Sequence, residues 1–169
     1  MRRALYPFVV MLLLATGCAG LTQLAQIVQP PRFNEADDRP AELRFLSPSA
    51  SMPAGGASVR IWLEVANPNP FGFTLSTVAA TLSLEGSRAA SGDFPLGLPL
   101  GAGQESIVPL DLSVSFVDLP GLGSVVRQAA IGGAIEYQLD GTVGIDAGRL
   151  GTPTYGPMRL TRGELLIIR

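Results

Sequence analysis

Few residues of this chain are equipped for chemistry, and their spacing narrows the choice further. There is no histidine, which removes the usual general base, the Ser-His-Asp relay and the commonest neutral metal ligand. Ser51, Ser83 and Ser106 have no activating neighbour of the type a nucleophilic serine needs. Two carboxylates can hydrolyse a glycosidic bond, and Asp140 and Asp146 are the pair to consider. Their even separation puts both on the outward face of one alternating run, where solvated surface is expected. The scattered aspartates lack the clustered spacing of a calcium loop. The run Gly97–Gly103 (GLPLGAG) lacks the Lys-Ser/Thr ending of a phosphate loop and does not lead from a strand into a helix. The expectation is therefore a non-enzyme with no catalytic residues, no metal, no cofactor and no small-molecule substrate. A formal net charge of −2 offers no electrostatic footprint for nucleic acid. One reactive group remains, Cys18, which as the sole cysteine has no disulfide partner in the chain.

Its surroundings suggest what Cys18 is for. Met1-Arg2-Arg3 is a short basic region, and Ala4 to Leu14 (ALYPFVVMLLL) is apolar. Small residues, Ala15-Thr16-Gly17, then precede the cysteine. This is the layout of a bacterial secretory signal, and the apolar run falls short of the about 20 residues a membrane span needs. Leu14 to Cys18 resembles a lipobox, the processing site of bacterial lipoproteins, with Ala15 where leucine is commoner. The resemblance implies cleavage after Gly17, a thioether-linked diacylglycerol on Cys18 and acylation of the new amine by a fatty acid such as palmitate. Residues 1–17 would then be the signal peptide, and the bacterial membrane a partner through the lipid on Cys18. Ala19, where an aspartate would hold the protein at the inner membrane, favours the outer membrane facing the periplasm.

Residues 18–41 are expected to be a tether. Leu21, Leu24, Ala25 and Val28 have helical spacing, Pro30-Pro31 ends that pattern, and Asn34 to Arg39 (NEADDR) is polar. Residues 42–169 carry alternating apolar runs between turn formers, and Gly (20) and Pro (14) are abundant. Val59, Ile61, Leu63 and Val65 form the inner face of the strongest strand, with Arg60, Trp62 and Glu64 opposite. It stops at Asn67-Pro68-Asn69-Pro70. Each proline holds the asparagine before it extended and lacks a donor for a ladder, while asparagine side chains can bond nearby backbone instead.

Further strands are expected at Leu43–Leu46, over Thr74–Glu85 with Val78, Ala80, Leu82 and Leu84 inward, and weakly at Ala89–Phe94, where Asp93 would blunt an edge. A turn at Gly86-Ser87-Arg88 separates the last two. Pro95 to Gly103 reads as a crossing segment between layers. Gln104–Phe116 alternates cleanly, with Pro109 marking an edge or a bulge. Asp118–Gly133 is the one expected helix, capped by Ser124 and stopped by Gly132-Gly133. Ile135–Asp146 follows with a bulge or bend at Gly141, then a turn at Pro153–Pro157, and a last strand over Met158–Ile168 kinked at Gly163. About six or seven strands and one short helix make an all-β, two-layer antiparallel β-sandwich.

From LEVANPNP through FGFTL, LSLEGSRAASG, PLGLPLGAG and VPLDLSVSF to IEYQLDGTVGID, the order of features resembles late embryogenesis abundant proteins of the second type. Their module is the WHy domain (water stress and hypersensitive response). The resemblance covers about Ala57 to Ile168. It implies a small sandwich of fibronectin III or immunoglobulin-like shape, and a structural role for Asn67, Pro68, Asn69 and Pro70. It also implies a non-enzymatic protein that protects membranes or client proteins during desiccation or other stress, with secreted and lipid-anchored forms among its bacterial members. The alternative function is an envelope protein-protein interaction module, for which Trp62, Phe71 and Phe73 are the candidate docking aromatics. Against that stands their expected packing in or beside the core.

Overall fold

The computed structural model describes residues 28–117 and 133–168 and, between them, 123, 125, 127 and 131. The expected signal segment, Cys18 and the first part of the expected tether lie outside the described residues, as does most of the helix expected over Asp118–Gly133. Within that segment the Ile131 N–H donates to the Arg127 carbonyl at 3.2 Å, and Val125 is buried.

Eight strands make the fold: β1 (Arg32–Glu35), β2 (Glu42–Leu46), β3 (Gly56–Ala66), β4 (Phe73–Leu84), β5 (Ser87–Leu100), β6 (Glu105–Ser115), β7 (Ile135–Asp146) and β8 (Thr154–Ile168). One layer is centred on β3. β6 pairs along the whole of one edge, while β1 and β2 share the other, β2 against Gly56–Arg60 and β1 against Leu63–Ala66. The second layer runs β5-β4-β7-β8, antiparallel throughout. The end of β8 then pairs in parallel with β2, Glu42–Arg44 against Leu166–Ile168. Hydrogen bonds consequently run unbroken through both layers. The all-β sandwich expected from the sequence holds, with this one parallel seam as the departure from a purely antiparallel arrangement.

Alternation explains which face each strand buries. Val59, Ile61, Leu63 and Val65 of β3 are each no more than 1% exposed and meet Leu110, Leu112 and Val114 of β6 and Ile135, Leu139 and Val143 of β7 in one core. Each such side chain contributes roughly 1.5–3 kcal/mol of burial, as an upper-end area estimate. β4 changes parity within its length. Phe73 and Leu75 point inward, then Val78, Ala80, Leu82 and Leu84, and the register shift between Leu75 and Thr77 absorbs the extra residue.

Several expectations require correction. Arg32–Glu35, placed in the tether by its polarity, is a strand, because pairing with β3 satisfies its backbone. The crossing segment expected from Pro95 to Gly103 is strand as far as Leu100. β5 pairs with β4 alone, and on such an edge Pro95 and Pro99 cost no inward ladder bond. The crossing itself is the turn at Gly101–Gln104, closed by a 3.1 Å bond from the Gln104 N–H to the Gly101 carbonyl. In the β4–β5 hairpin the turn residues are Glu85 (φ 47°) and Gly86 (φ 76°), and Ser87 already belongs to the strand. The turn expected at Pro153–Pro157 lies earlier, in the 3-10 turn Gly148–Leu150. Gly163 does not break the ladder: β8 stays in register with β7 from Thr161 to Leu165. A Cβ there would lie 2.5 Å from a Glu35 carboxylate oxygen, so the residue makes room for β1.

Gly141 meets its expectation of a bulge. The β7–β8 register slips on both sides of it, and Leu160 and Thr161 are buried in succession. A Cβ at Gly141 would sit 2.6 Å from the Ala79 carbonyl oxygen and 2.9 Å from Leu160 Cδ1. Gly141→Ala should therefore destabilise the domain by about 1–3 kcal/mol, the usual range for overpacking, read as a lower urea midpoint.

Tyr137 is buried in the same core with its hydroxyl unpaired; Thr161 and Glu35 lie beside it without hydrogen-bond geometry. Burial raises the phenol above its ordinary value of 10.0. The folded chain thus keeps a proton that the unfolded chain loses, and stability drops as pH rises above about 10. Tyr137→Phe should leave stability near pH 7 within about 1 kcal/mol of the parent or above it. It should also remove part of the alkaline loss, measured by urea unfolding at neutral and alkaline pH.

Candidate functional site

Where β3 stops, the chain needs partners for its backbone that two prolines cannot supply. Asn67 and Asn69, each 1% exposed, supply them. The Asn67 amide nitrogen donates to three carbonyls, those of Phe71 (2.8 Å), Leu100 (3.2 Å) and Gly101 (2.9 Å). Its Oδ1 accepts from the Asn69 backbone N–H (2.9 Å) and from the Asn69 side-chain amide (3.0 Å). The Asn67 backbone N–H donates to the Gln104 carbonyl at 2.9 Å. One carboxamide thereby ties the end of β3 to the turn that carries the chain from β5 to β6.

Asn69 faces the other way, toward the incoming N-terminal segment. Its Oδ1 accepts from the Gln29 N–H (2.8 Å) and its Nδ2 donates to the Gln29 carbonyl (3.0 Å). A side-chain amide carries the same donor and acceptor as a peptide group, so Asn69 pairs with Gln29 much as a neighbouring strand would. Beside it the Tyr155 hydroxyl, its pKa raised by burial, donates to the Val28 carbonyl at 2.6 Å. The two asparagines therefore fasten the first described residues of the chain to the sandwich. Gln29 and Tyr155 carried no local signal, because their partners lie 40 and 127 residues away in sequence.

The other candidates are dispersed. Phe73 is in the core and Phe71 is packed against it, whereas Trp62 lies on the outer face of β3, so the three aromatics form no common patch. Arg39 and Arg60 stack on Trp62 at 4.9 and 5.7 Å. Arg60 also binds Asp111 through two bonds of 2.7 and 3.0 Å, which hold its guanidinium pKa above the ordinary value. Asp140 accepts from Gln138 at 2.6 Å and Asp146 from the Gly148 N–H at 2.8 Å. Six residues of strand separate these carboxylates by about 20 Å, beyond the roughly 5–9.5 Å that lets two act on one glycosidic bond. Ser83 and Ser106 stand half-buried in β4 and β6, and exposed Ser51 faces the Ser49 hydroxyl at 3.2 Å.

Among the described residues no group of three or more Cys, Asp or Glu could hold a metal ion. No helix there is long and apolar enough to cross a membrane. The concavities are shallow; one of about 340 Å³ lies over the outer face of β4 and β7, between Thr81, Ser91, Asp93 and Asp140.

A continuous all-β sandwich with an asparagine-braced corner defines the class of fold, and comparison of the sequence with known families defines the family. The family described as late embryogenesis abundant protein matches residues 63–161, more than half of the sequence, and the chain belongs to it. The solution structure of an Arabidopsis thaliana protein is similar at 17% identity and a TM-score of 0.54, covering 84% of this chain and 81% of that one. A second solution structure is similar at 19% identity and a TM-score of 0.52, covering 94% of this chain and 83% of that one. At these identities the likeness concerns fold. No curated protein matches the chain.

Asn67→Ala should take a donor from three carbonyls, of which that of Gly101 keeps the Gln104 N–H, and leave the Asn69 N–H unpaired, costing about 2–4 kcal/mol at the usual 1–3 kcal/mol per buried unpaired group with partial rescue by water. Asn69→Ala should cost less, and should selectively speed hydrogen exchange in β1 relative to β6. Urea unfolding and residue-resolved exchange separate the two outcomes.

Proposed function

We propose that this is a non-enzymatic, lipid-anchored protein of the bacterial envelope that protects membranes or proteins during desiccation or related stress. Membership of the late embryogenesis abundant family is the observation that carries the reading. Catalytic chemistry finds little support in a chain without histidine whose candidate carboxylates stand far apart. Anchoring rests on Cys18 and the residues before it, with the outer membrane favoured by Ala19. The described domain begins ten residues beyond that cysteine, so a lipid there would hold a folded body close to the bilayer.

Trp62 favours a second reading, that of an interaction module. An aromatic ring on an outer sheet face between two guanidinium groups suits a partner that brings a carboxylate or another ring.

Two measurements test the proposal. The purified domain, dried or frozen with a labile enzyme, should preserve activity better than an equal mass of albumin; equal protection overturns the protective role. In cells, Cys18→Ala should move the protein from the membrane to the soluble fraction, and continued membrane retention overturns the anchor.

A further inference from the structure

We propose that the sandwich stands on the lipid leaflet with its asparagine-clamped pole toward the headgroups and its opposite pole away from them. The inference rests on the anchored reading of Cys18 and adds an orientation to it. The near pole consists of the corner Asn67–Gly72, the turn Gly101–Gln104 and the 3-10 turn Gly148–Leu150, which the strands bring together. The far pole holds the loop Ser47–Gly55, to which Phe116 bonds, and the Glu85-Gly86 turn.

The tether sets the orientation. The ten residues from Cys18 to Val28 reach at most about 33–36 Å when fully extended, and a flexible chain of that length averages about 16–19 Å. The sandwich is about 35–40 Å from pole to pole, judged from the twelve residues of β4. Because Asn69 and Tyr155 fix Gln29 and Val28 at the near pole, the tether cannot start elsewhere. Bringing the far pole to the leaflet would require a taut chain along the whole body, at a large cost in conformational entropy.

The near pole also suits a headgroup layer. Its turns are rich in Gly, Pro and Ala, and they carry the exposed Leu150 (39%) next to Arg149. An apolar side chain with an adjacent cation can enter the interface while the cation meets lipid phosphate. The far pole has its own apolar surface, Phe45 and Phe116 with ring centroids 6.3 Å apart and exposed Val117. It is the rival lipid-facing surface, and the experiment must exclude it.

Acylation consumes the Cys18 thiol, so an introduced cysteine becomes the one free thiol of the mature chain. Ala102→Cys labels the near pole and Ala54→Cys the far one; both positions are exposed turn residues. The full lipid-bearing chain is reconstituted into phosphatidylethanolamine/phosphatidylglycerol vesicles with an acceptor dye on the headgroups, and energy transfer from a donor at each site is compared. Transfer should be several-fold more efficient from position 102, and a long Gly/Ser insertion after Gly20 should erase the difference. Equal transfer from the two sites, or stronger transfer from position 54, overturns the orientation while leaving the anchor standing. A chain without diacylglycerol on Cys18 by mass spectrometry overturns the anchor, and the orientation with it.

Discussion

A buried carboxamide must find partners for two donors and an acceptor, and at the end of β3 this requirement organises the molecule. Pro68 and Pro70 bring no N–H, so the corner cannot be closed by backbone pairing alone. Asn67 closes it, giving both amide hydrogens to three carbonyls and its oxygen to Asn69. Shorter, longer or charged side chains do not combine that reach with that pattern: serine has one donor, glutamine is one methylene too long, and an aspartate would aim charge at carbonyl oxygens. The same network joins two places where the chain changes layer, the corner and the β5–β6 turn, to Gln29 near the start of the described fold.

The two layers depend on each other through more than their shared core. β8 reaches from the second layer to pair with β2 of the first. That reach requires β8 to bend, and the irregularities around Leu160 supply the bend. Gly141 leaves space for the displaced Leu160, and Gly163 leaves space for the Glu35 carboxylate of β1. Two glycines on neighbouring strands thus serve one purpose, letting elements of the first layer and of the bent strand approach backbone that a Cβ would shield.

Much of this was legible in the residues, and where it was not the reason is physical. β3, β6 and β7 showed themselves by period-two alternation, because each buries one face and exposes the other. Pro109 correctly marked an edge, since β6 pairs with β3 alone in the described sheet. β1 was hidden because its four residues, RFNE, bring one apolar side chain. What holds it is a ladder to β3 and a clamp from Asn69, both contributed from elsewhere in the chain. The second half of β5 was hidden for the opposite reason: its prolines and glycines break helices and central strands, but an edge strand tolerates them. At Asn67 and Asn69 the local consequence, an extended corner with side-chain bonds to backbone, could be read directly. Their long-range partners could not, since nothing in four residues specifies Gln29 or Leu100.

The clamp bears on how such a domain would work at a surface. An N-terminal segment that merely abutted the sheet would leave the direction of the chain at Val28 unfixed. Here the segment is hydrogen-bonded at Val28 and Gln29 and then enters the ladder at Arg32, so its course is fixed from Val28 onward. A force applied at the N-terminus loads Asn69, Tyr155 and the β1–β3 pairing in shear, along the strands, where several bonds must break together. The corner asparagines therefore serve two tasks with one set of atoms, satisfying a backbone that its prolines leave short of donors and fixing the direction from which the chain leaves the sandwich.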